Sequence, residues 1–158
     1  MPPTLLFLGD LDECHGADLL VRAMPIILSR HPRTRLVIAG DGQLREALAA
    51  YTRYLQLDEV VSFVSPSSPT VVSELAESAD LVVVPGRQAG SSDAIDAAWC
   101  ARKPVVATHE SASALAEHER DALLVYPSEN SIASAVVRIL DDPELARKLG
   151  EAGHRRFL

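Results

Sequence analysis

At residues 79–85 the chain reads ADLVVVP, and this short run decides the fold. Its central residues, 81–84, are apolar at every position, so neither face of the segment is polar. A strand that is buried on both faces is typical of the middle of a parallel sheet covered by helices. We therefore predict a strand at Leu81–Val84 with helices packed on each side of it.

Similar apolar runs lie before and after this strand. We predict further strands at Thr4–Leu8, Arg35–Ala39, Val60–Val64 and Pro104–Ala107, and a weaker one at Ala122–Val125. Longer segments of helical period separate these runs, and the alternation is typical of βαβ units with right-handed crossovers. The sequence thus predicts a single α/β domain over residues 1–158, with a doubly wound, Rossmann-like parallel sheet of about six strands.

The helices are predicted from apolar residues at helical spacing. One buried stripe is formed by Leu19, Leu20, Ala23, Met24 and Ile27. Further helices are predicted over residues 43–55, 70–77, 91–101, 132–140 and 143–157. The last one has a clear start signal, because Pro143 follows Asp141 and Asp142, either of which can cap the helix. Trp99 lies at helical spacing with Ile95, so we expect it in the core or in a domain interface.

The composition excludes several classes of partner. The 158 residues include 22 acidic and 15 basic side chains, and the resulting net charge of -7 repels the phosphates of nucleic acids. The two cysteines lack the spacing of a metal site and the number needed for a disulfide framework. No apolar run reaches the roughly 18 residues that a membrane span needs. We expect a cytoplasmic domain that binds neither nucleic acid nor membranes.

Two loops at the carboxyl ends of predicted strands are candidate ligand sites, since doubly wound sheets bind ligands there. After the second strand, Gly40 and Gly42 flank Asp41 in a tight turn. One interpretation gives this turn a ligand role. The other is a plain strand-to-helix turn in which Asp41 caps the following helix.

The second loop follows the central strand and ends at the start of a predicted helix. Gly90, Ser91 and Ser92 lie where free backbone N–H groups and the helix dipole suit a phosphate, and Arg87 supplies a cation nearby. The alternative is simple capping by the serines. Asp93 then interacts favourably with the helix dipole and competes with a phosphate for the same place.

Five segments together resemble the family 4 (group 1) glycosyltransferases of the GT-B fold. They are residues 7–20, 36–42, 79–85, 104–108 and 140–145, in the order and spacing of the family's C-terminal domain. The resemblance implies that this domain binds a UDP- or GDP-sugar, while a separate N-terminal domain binds the acceptor. It also implies hexose transfer with retained anomeric configuration in the cleft between the two domains. It implies no metal or other cofactor, assigns no catalytic residue to this chain, and predicts no transfer by this domain alone.

The chain departs from the family pattern at the positions that usually bind the donor. The family commonly carries an arginine after the first strand's glycine, here Gly9, and a lysine before the next glycine. This sequence has Asp10 and His15 there, and Ala89 and Ala97 where two glutamates are usual. His15 carries charge only when protonated. Donor binding is therefore expected to be weak or lost, and a non-catalytic structural or protein-interaction module is the alternative function.

Overall fold

A computed structural model describes residues 2–88, 93–112 and 116–158 and contains a six-stranded sheet. Its strands are β1 (Thr4–Leu8), β2 (Arg35–Ala39), β3 (Val61–Val64), β4 (Leu81–Val84), β5 (Val105–Thr108) and β6 (Leu123–Val125). The order across the sheet is β3-β2-β1-β4-β5-β6, and every pairing is parallel. The predicted doubly wound parallel sheet is confirmed, and the strand order reverses between β1 and β4.

The helices connect the strands in chain order. They are α1 (Ala17–Arg30), α2 (Arg45–Tyr54), α3 (Pro69–Ser78), α4 (Asp93–Cys100), α5 (His109–Ala112), α6 (Glu129–Asp141) and α7 (Pro143–Phe157). The last helix has its predicted bounds, and Asp142 caps it by accepting a hydrogen bond from the Leu145 N–H at 3.1 Å. The short helix α5 was not predicted and lies directly after β5. The predicted start of α4 at Ser91 falls outside the described residues.

Apolar side chains cover both faces of the sheet. Along β4, Leu81 and Val83 belong to the cluster that packs against α1 and α6, whereas Val82 belongs to a second cluster that includes residues of α3 and α4. Successive residues of a strand point to opposite faces. Both faces of β4 are therefore buried, as its apolar sequence predicted.

The second cluster fixes α7 against α4. Trp99 is buried, and its indole Nε1 donates a hydrogen bond to the carbonyl oxygen of Asp121 at 3.2 Å. On α7, Gly153 lies so close to this indole that a side chain at Gly153 would overlap it. The expectation that Trp99 is a packing residue is confirmed for the core.

Over the described ranges, no helix has the length and apolar character needed to cross a membrane.

Candidate functional site

A cleft of about 630 Å³ opens at the carboxyl end of the sheet, where the strand order reverses. Its walls come mainly from the loops after β1, β2, β3 and β4, together with residues of α3, α4 and α5. The lining includes Gly9, Asp10, Asp12, His15, Gly40, Asp41, Gly86, Asp93 and Ser111. The fold thus brings the predicted Gly9, Asp10, His15 and Gly40 together in one concave site.

The loop between β1 and α1 is organised by Asp12, a residue that the sequence analysis did not single out. Its Oδ1 atom accepts hydrogen bonds from the backbone N–H groups of Cys14 and His15 at 2.9 Å and lies 2.8 Å from His15 Nδ1. Burial opposes ionisation of Asp12, but the hydrogen bonds from His15 and Cys14 outweigh it and lower the pKa of this carboxyl. An aspartate that accepts hydrogen bonds from the backbone N–H groups two and three residues later is a recognisable turn signal.

Arg87, the cation predicted beside the cleft, is bound by Asp18 at the start of α1. Its Nη1 and Nη2 atoms donate to the two carboxylate oxygens of Asp18 at 2.9 and 2.7 Å, and Nη1 also donates to the carbonyl of Glu13 at 2.9 Å. Burial alone would raise the pKa of Asp18, but Arg87 and Arg22 lower it. The guanidinium therefore joins the loop after β4 to α1 and to the loop before α1.

Asp41 does not cap α2, so that part of the plain-turn interpretation was wrong. The capping position is Leu44, which makes no side-chain capping bond. Asp41 instead accepts hydrogen bonds from Ser65 Oγ and Arg45 Nη1, both at 2.9 Å. These two bonds lower the pKa of the Asp41 carboxyl. Its carboxylate thus joins the side chain of Arg45, the first residue of α2, to the loop after β3.

The two glycines of this turn are required by the close approach of neighbouring backbone. A side chain at Gly40 would overlap the carbonyl of Gly9, and one at Gly42 would overlap the carbonyl of Leu11. Gly40 lies in the cleft wall, whereas Gly42 does not line it. Packing alone accounts for both glycines, and their role in ligand binding stays a prediction.

The remaining wall is held by two hydroxyl groups, one at the end of β5 and one in α5. Thr108 Oγ1 donates to the carbonyl of Gly86 at 2.5 Å, and Ser111 Oγ donates to the carbonyl of Val84 at 3.0 Å. These bonds join the loop after β4 to the start of α5. Ser111 therefore supports the cleft wall.

Several predicted site residues do not contribute to the described cleft. Gly90, Ser91 and Ser92 lie outside the described residues, as does Ala89. Ala97 lies on α4 and packs against the second apolar cluster. Their predicted roles at the site stay predictions.

The described lining of the cleft is acidic, and one of its four aspartates, Asp41, is paired with Arg45, which does not line the cleft. Its ionisable lining consists of four aspartates, which are Asp10, Asp12, Asp41 and Asp93, together with His15 and Cys14, and it includes no lysine or arginine. A diphosphate in this cleft would meet carboxylates and no permanent cation from these residues.

Sequence comparison assigns the family. A sequence model described as glycosyl transferases group 1 matches residues 2–142. The chain belongs to the group 1 glycosyltransferases. An uncharacterized glycosyltransferase of Methanocaldococcus jannaschii, MJ1607, is 37% identical over 142 residues, which cover 87% of this chain and 36% of that protein. This group 1 glycosyltransferase chain therefore spans little more than a third of that relative's length.

Solved structures with the same fold include the C-terminal domain of another group 1 glycosyltransferase. The C-terminal domain of the group 1 protein LpcC from Francisella tularensis superposes with a TM-score of 0.89 at 19% identity, covering 99% of this chain and 85% of that one. Anabaena HepE, solved in complex with UDP and glucose, superposes with a TM-score of 0.89 at 19% identity, covering 99% of this chain and 43% of that one. These similarities establish that the chain has the fold of a glycosyltransferase C-terminal domain.

Proposed function

We propose that this chain is the donor-binding half of a retaining hexosyltransferase and that its cleft binds a nucleotide diphosphate sugar. The observation that carries the proposal is the cleft between the carboxyl ends of β1 and β4, where doubly wound sheets bind ligands. Its volume of about 630 Å³ lies within the usual range for pockets that enclose small molecules. Gly9, Gly40 and Gly86 lie in its wall.

The comparisons support a division of labour between two domains. HepE, which shares the fold, binds UDP and glucose in its solved structure. Because the chain covers only 36% of its Methanocaldococcus relative, we propose that the acceptor is bound by another domain of the full-length protein. Transfer would then require both halves. A cytoplasmic location belongs to the same proposal and is supported by the unpaired thiols of Cys14 and Cys100.

Donor binding can be tested by NMR titration of the ¹⁵N-labelled chain with UDP, UDP-glucose and a GDP-sugar. We expect the backbone amide signals of Gly9, Gly40 and Gly86 to shift, because these residues line the cleft. Ser131 and Ser134 lie in a separate groove beside α6 and provide the internal control. Absence of any shift at millimolar donor, or equal shifts in both regions, would contradict donor binding in the cleft.

A second function, a non-catalytic interaction module, is favoured by the charges of the cleft. Asp10 and His15 occupy its wall, and Ala97 is partly buried against the second apolar cluster. A hydrogen bond to a charged group contributes about 1.5–3 kcal/mol. Losing the arginine, the lysine and the two glutamates of the family pattern removes roughly 6–12 kcal/mol of binding free energy if the four act independently. Micromolar binding corresponds to only about 8 kcal/mol.

Restoring the family residues separates the two functions. The comparison uses the wild type and a variant with Asp10→Arg, His15→Lys, Ala89→Glu and Ala97→Glu. If the chain is a degenerate module, the variant gains donor binding that the wild type lacks. If the wild type already binds UDP as tightly as the variant, the module interpretation is wrong.

A further inference from the structure

A second groove, of about 410 Å³, lies between β6 and α6. It is lined by His118, by residues 123–126 and by one side of α6, and we call it the β6–α6 groove. β6 is an edge strand, so the groove opens at the side of the sheet. None of its described lining residues lines the cleft. The groove is therefore a separate candidate site.

Polar side chains of α6 form a row along this groove. Asn130, Ser134 and Arg138 line it at intervals of four residues, so they lie on the same face of the helix. All three are exposed, and the eight-residue step from the first to the last spans about 12 Å. Within the described part of the chain, the side chains of Asn130 and Ser134 hydrogen-bond to no other residue. Their amide and hydroxyl groups are thus available to a ligand.

An exposed aromatic ring completes the polar row. Tyr126 follows β6, lines the groove and is 70% exposed. Its ring packs against the ring of His109, with 5.4 Å between the ring centres and a tilt of 47°. This contact restrains the tyrosine before any ligand binds, which lowers the entropy cost of binding. The exposed part of the ring offers an apolar surface beside the hydrogen-bonding groups.

The groove carries no excess of charge in its described lining. Arg138 is the one permanent cation there, and its guanidinium is paired with the Glu119 carboxylate at 2.5 Å. Nδ1 of His118 accepts a hydrogen bond from the Leu124 N–H at 2.9 Å. The neutral imidazole then carries its proton on Nε2, which remains a hydrogen-bond donor. The groove therefore offers hydrogen bonds and an aromatic surface without a strong field of either sign.

We propose that the β6–α6 groove binds a neutral oligosaccharide. A sugar ring has C–H groups on its faces and hydroxyl groups at its edge. It can therefore pack on Tyr126 while its hydroxyls bond to Asn130 and Ser134. A length of about 12 Å exceeds that of one hexose ring and suits a short chain of sugars. A sugar ligand is also consistent with the family of the chain, and the site does not depend on donor binding in the cleft.

NMR titration of the ¹⁵N-labelled chain with maltotriose and with cellotriose tests the site. We expect at least one of these neutral trisaccharides to shift the backbone amide signals of Tyr126, Asn130 and Ser134. Gly9 and Gly40 line the cleft and provide the internal control. No shift with either trisaccharide at millimolar concentration would overturn the proposal. Shifts confined to the cleft, or of equal size in both regions, would overturn it as well.

Tyr126→Ala and Tyr54→Ala form a matched pair of variants. Tyr54 is 80% exposed on α2 and does not line the groove. Tyr126→Ala should weaken trisaccharide binding by roughly 2–10-fold, the usual effect of one aromatic contact, and Tyr54→Ala should leave it unchanged. Equal weakening by the two variants would contradict the site. Circular dichroism confirms that each variant is folded.

Tyr126→Phe assigns the effect to the aromatic ring. This variant keeps the ring and loses only the hydroxyl group, so its binding should stay close to that of the wild type. Weakening as large as that of Tyr126→Ala would contradict packing of a sugar on the ring.

Sulfated maltotriose distinguishes a neutral ligand from an anionic one. Binding of the sulfated form that is no tighter than that of maltotriose supports the proposal. Tighter binding that is lost in Arg138→Gln would indicate an anion site and overturn the neutral class of ligand. Because the cleft and the groove have different reporter residues, failure of donor binding at Gly9 and Gly40 would leave the result at the groove intact.

Discussion

Replacing Asp18 with asparagine should destabilise the chain by loosening the loop after β4 from α1. In the wild type the Asp18 carboxylate accepts two hydrogen bonds from Arg87, at 2.9 and 2.7 Å. Hydrogen bonds to charged groups contribute about 1.5–3 kcal/mol, and fully exposed ion pairs about 0–1 kcal/mol. Asp18 is 29% exposed and Arg87 37% exposed, so the pair lies between these limits. We expect a loss of about 1–2 kcal/mol in the free energy of unfolding.

Urea denaturation measures this loss, and a double-mutant cycle assigns it to the pair. The unfolding midpoint should fall at an unchanged m-value, and the melting temperature should fall by about 2–8 °C. The cycle combines Asp18→Asn with Arg87→Gln, so the bond from Arg87 to the Glu13 carbonyl and the bond from Arg22 to Asp18 both cancel from the coupling energy. Glu13→Gln is the control for the loss of a negative charge near Arg87, because it keeps the Glu13 backbone carbonyl that Arg87 also binds. A coupling energy of zero between Asp18 and Arg87 would refute the stabilising role of the salt bridge.

The pH dependence gives an independent check on the Asp18 prediction. Burial opposes ionisation of Asp18, but Arg87 and Arg22 lower its pKa in the folded chain below the reference value of 3.8. The unfolded state therefore binds a proton first as the pH falls. The stabilisation should be complete above the unfolded-state pKa and should disappear as the pH falls through the lower, folded-state pKa. A difference between wild type and Asp18→Asn that grows on acidification would contradict the assignment.

Two further predictions concern a helix cap and a close backbone approach. Asp142→Ala should lower the free energy of unfolding in urea by about 1 kcal/mol, because α7 loses its cap. Asp142→Asn keeps a capping oxygen and should lose much less. Equal losses for the two variants would contradict the cap. Gly40→Ala should lower the free energy of unfolding by about 1–3 kcal/mol, because the added methyl overlaps the Gly9 carbonyl. Gly86→Ala should cost less in the same assay, because the nearest atom to its added methyl is 3.3 Å away. Comparable losses for these two glycine variants would show that the backbone readily moves apart.

The contrast between the two predicted aspartate caps shows how far local patterns reach. Asp142 precedes a proline and the apolar period of α7, and it caps that helix as predicted. Asp41 has a similar local setting, yet Ser65 and Arg45 bind its carboxylate. Ser65 is 24 residues away in sequence and arrives through the pairing of β2 with β3. A local pattern cannot predict a partner supplied by another strand.

The sequence by itself determined the strands, most of the helices and the family. Apolar periodicity is a local property, and burial on both faces of Leu81–Val84 requires a central parallel strand. The tertiary structure decided which charges meet. It placed Arg87 on Asp18, 69 residues away, and gathered Asp10, Asp12 and His15 on the wall of the cleft. Side-chain pairing depends on distances between separate elements, and these distances exist only once the sheet has assembled.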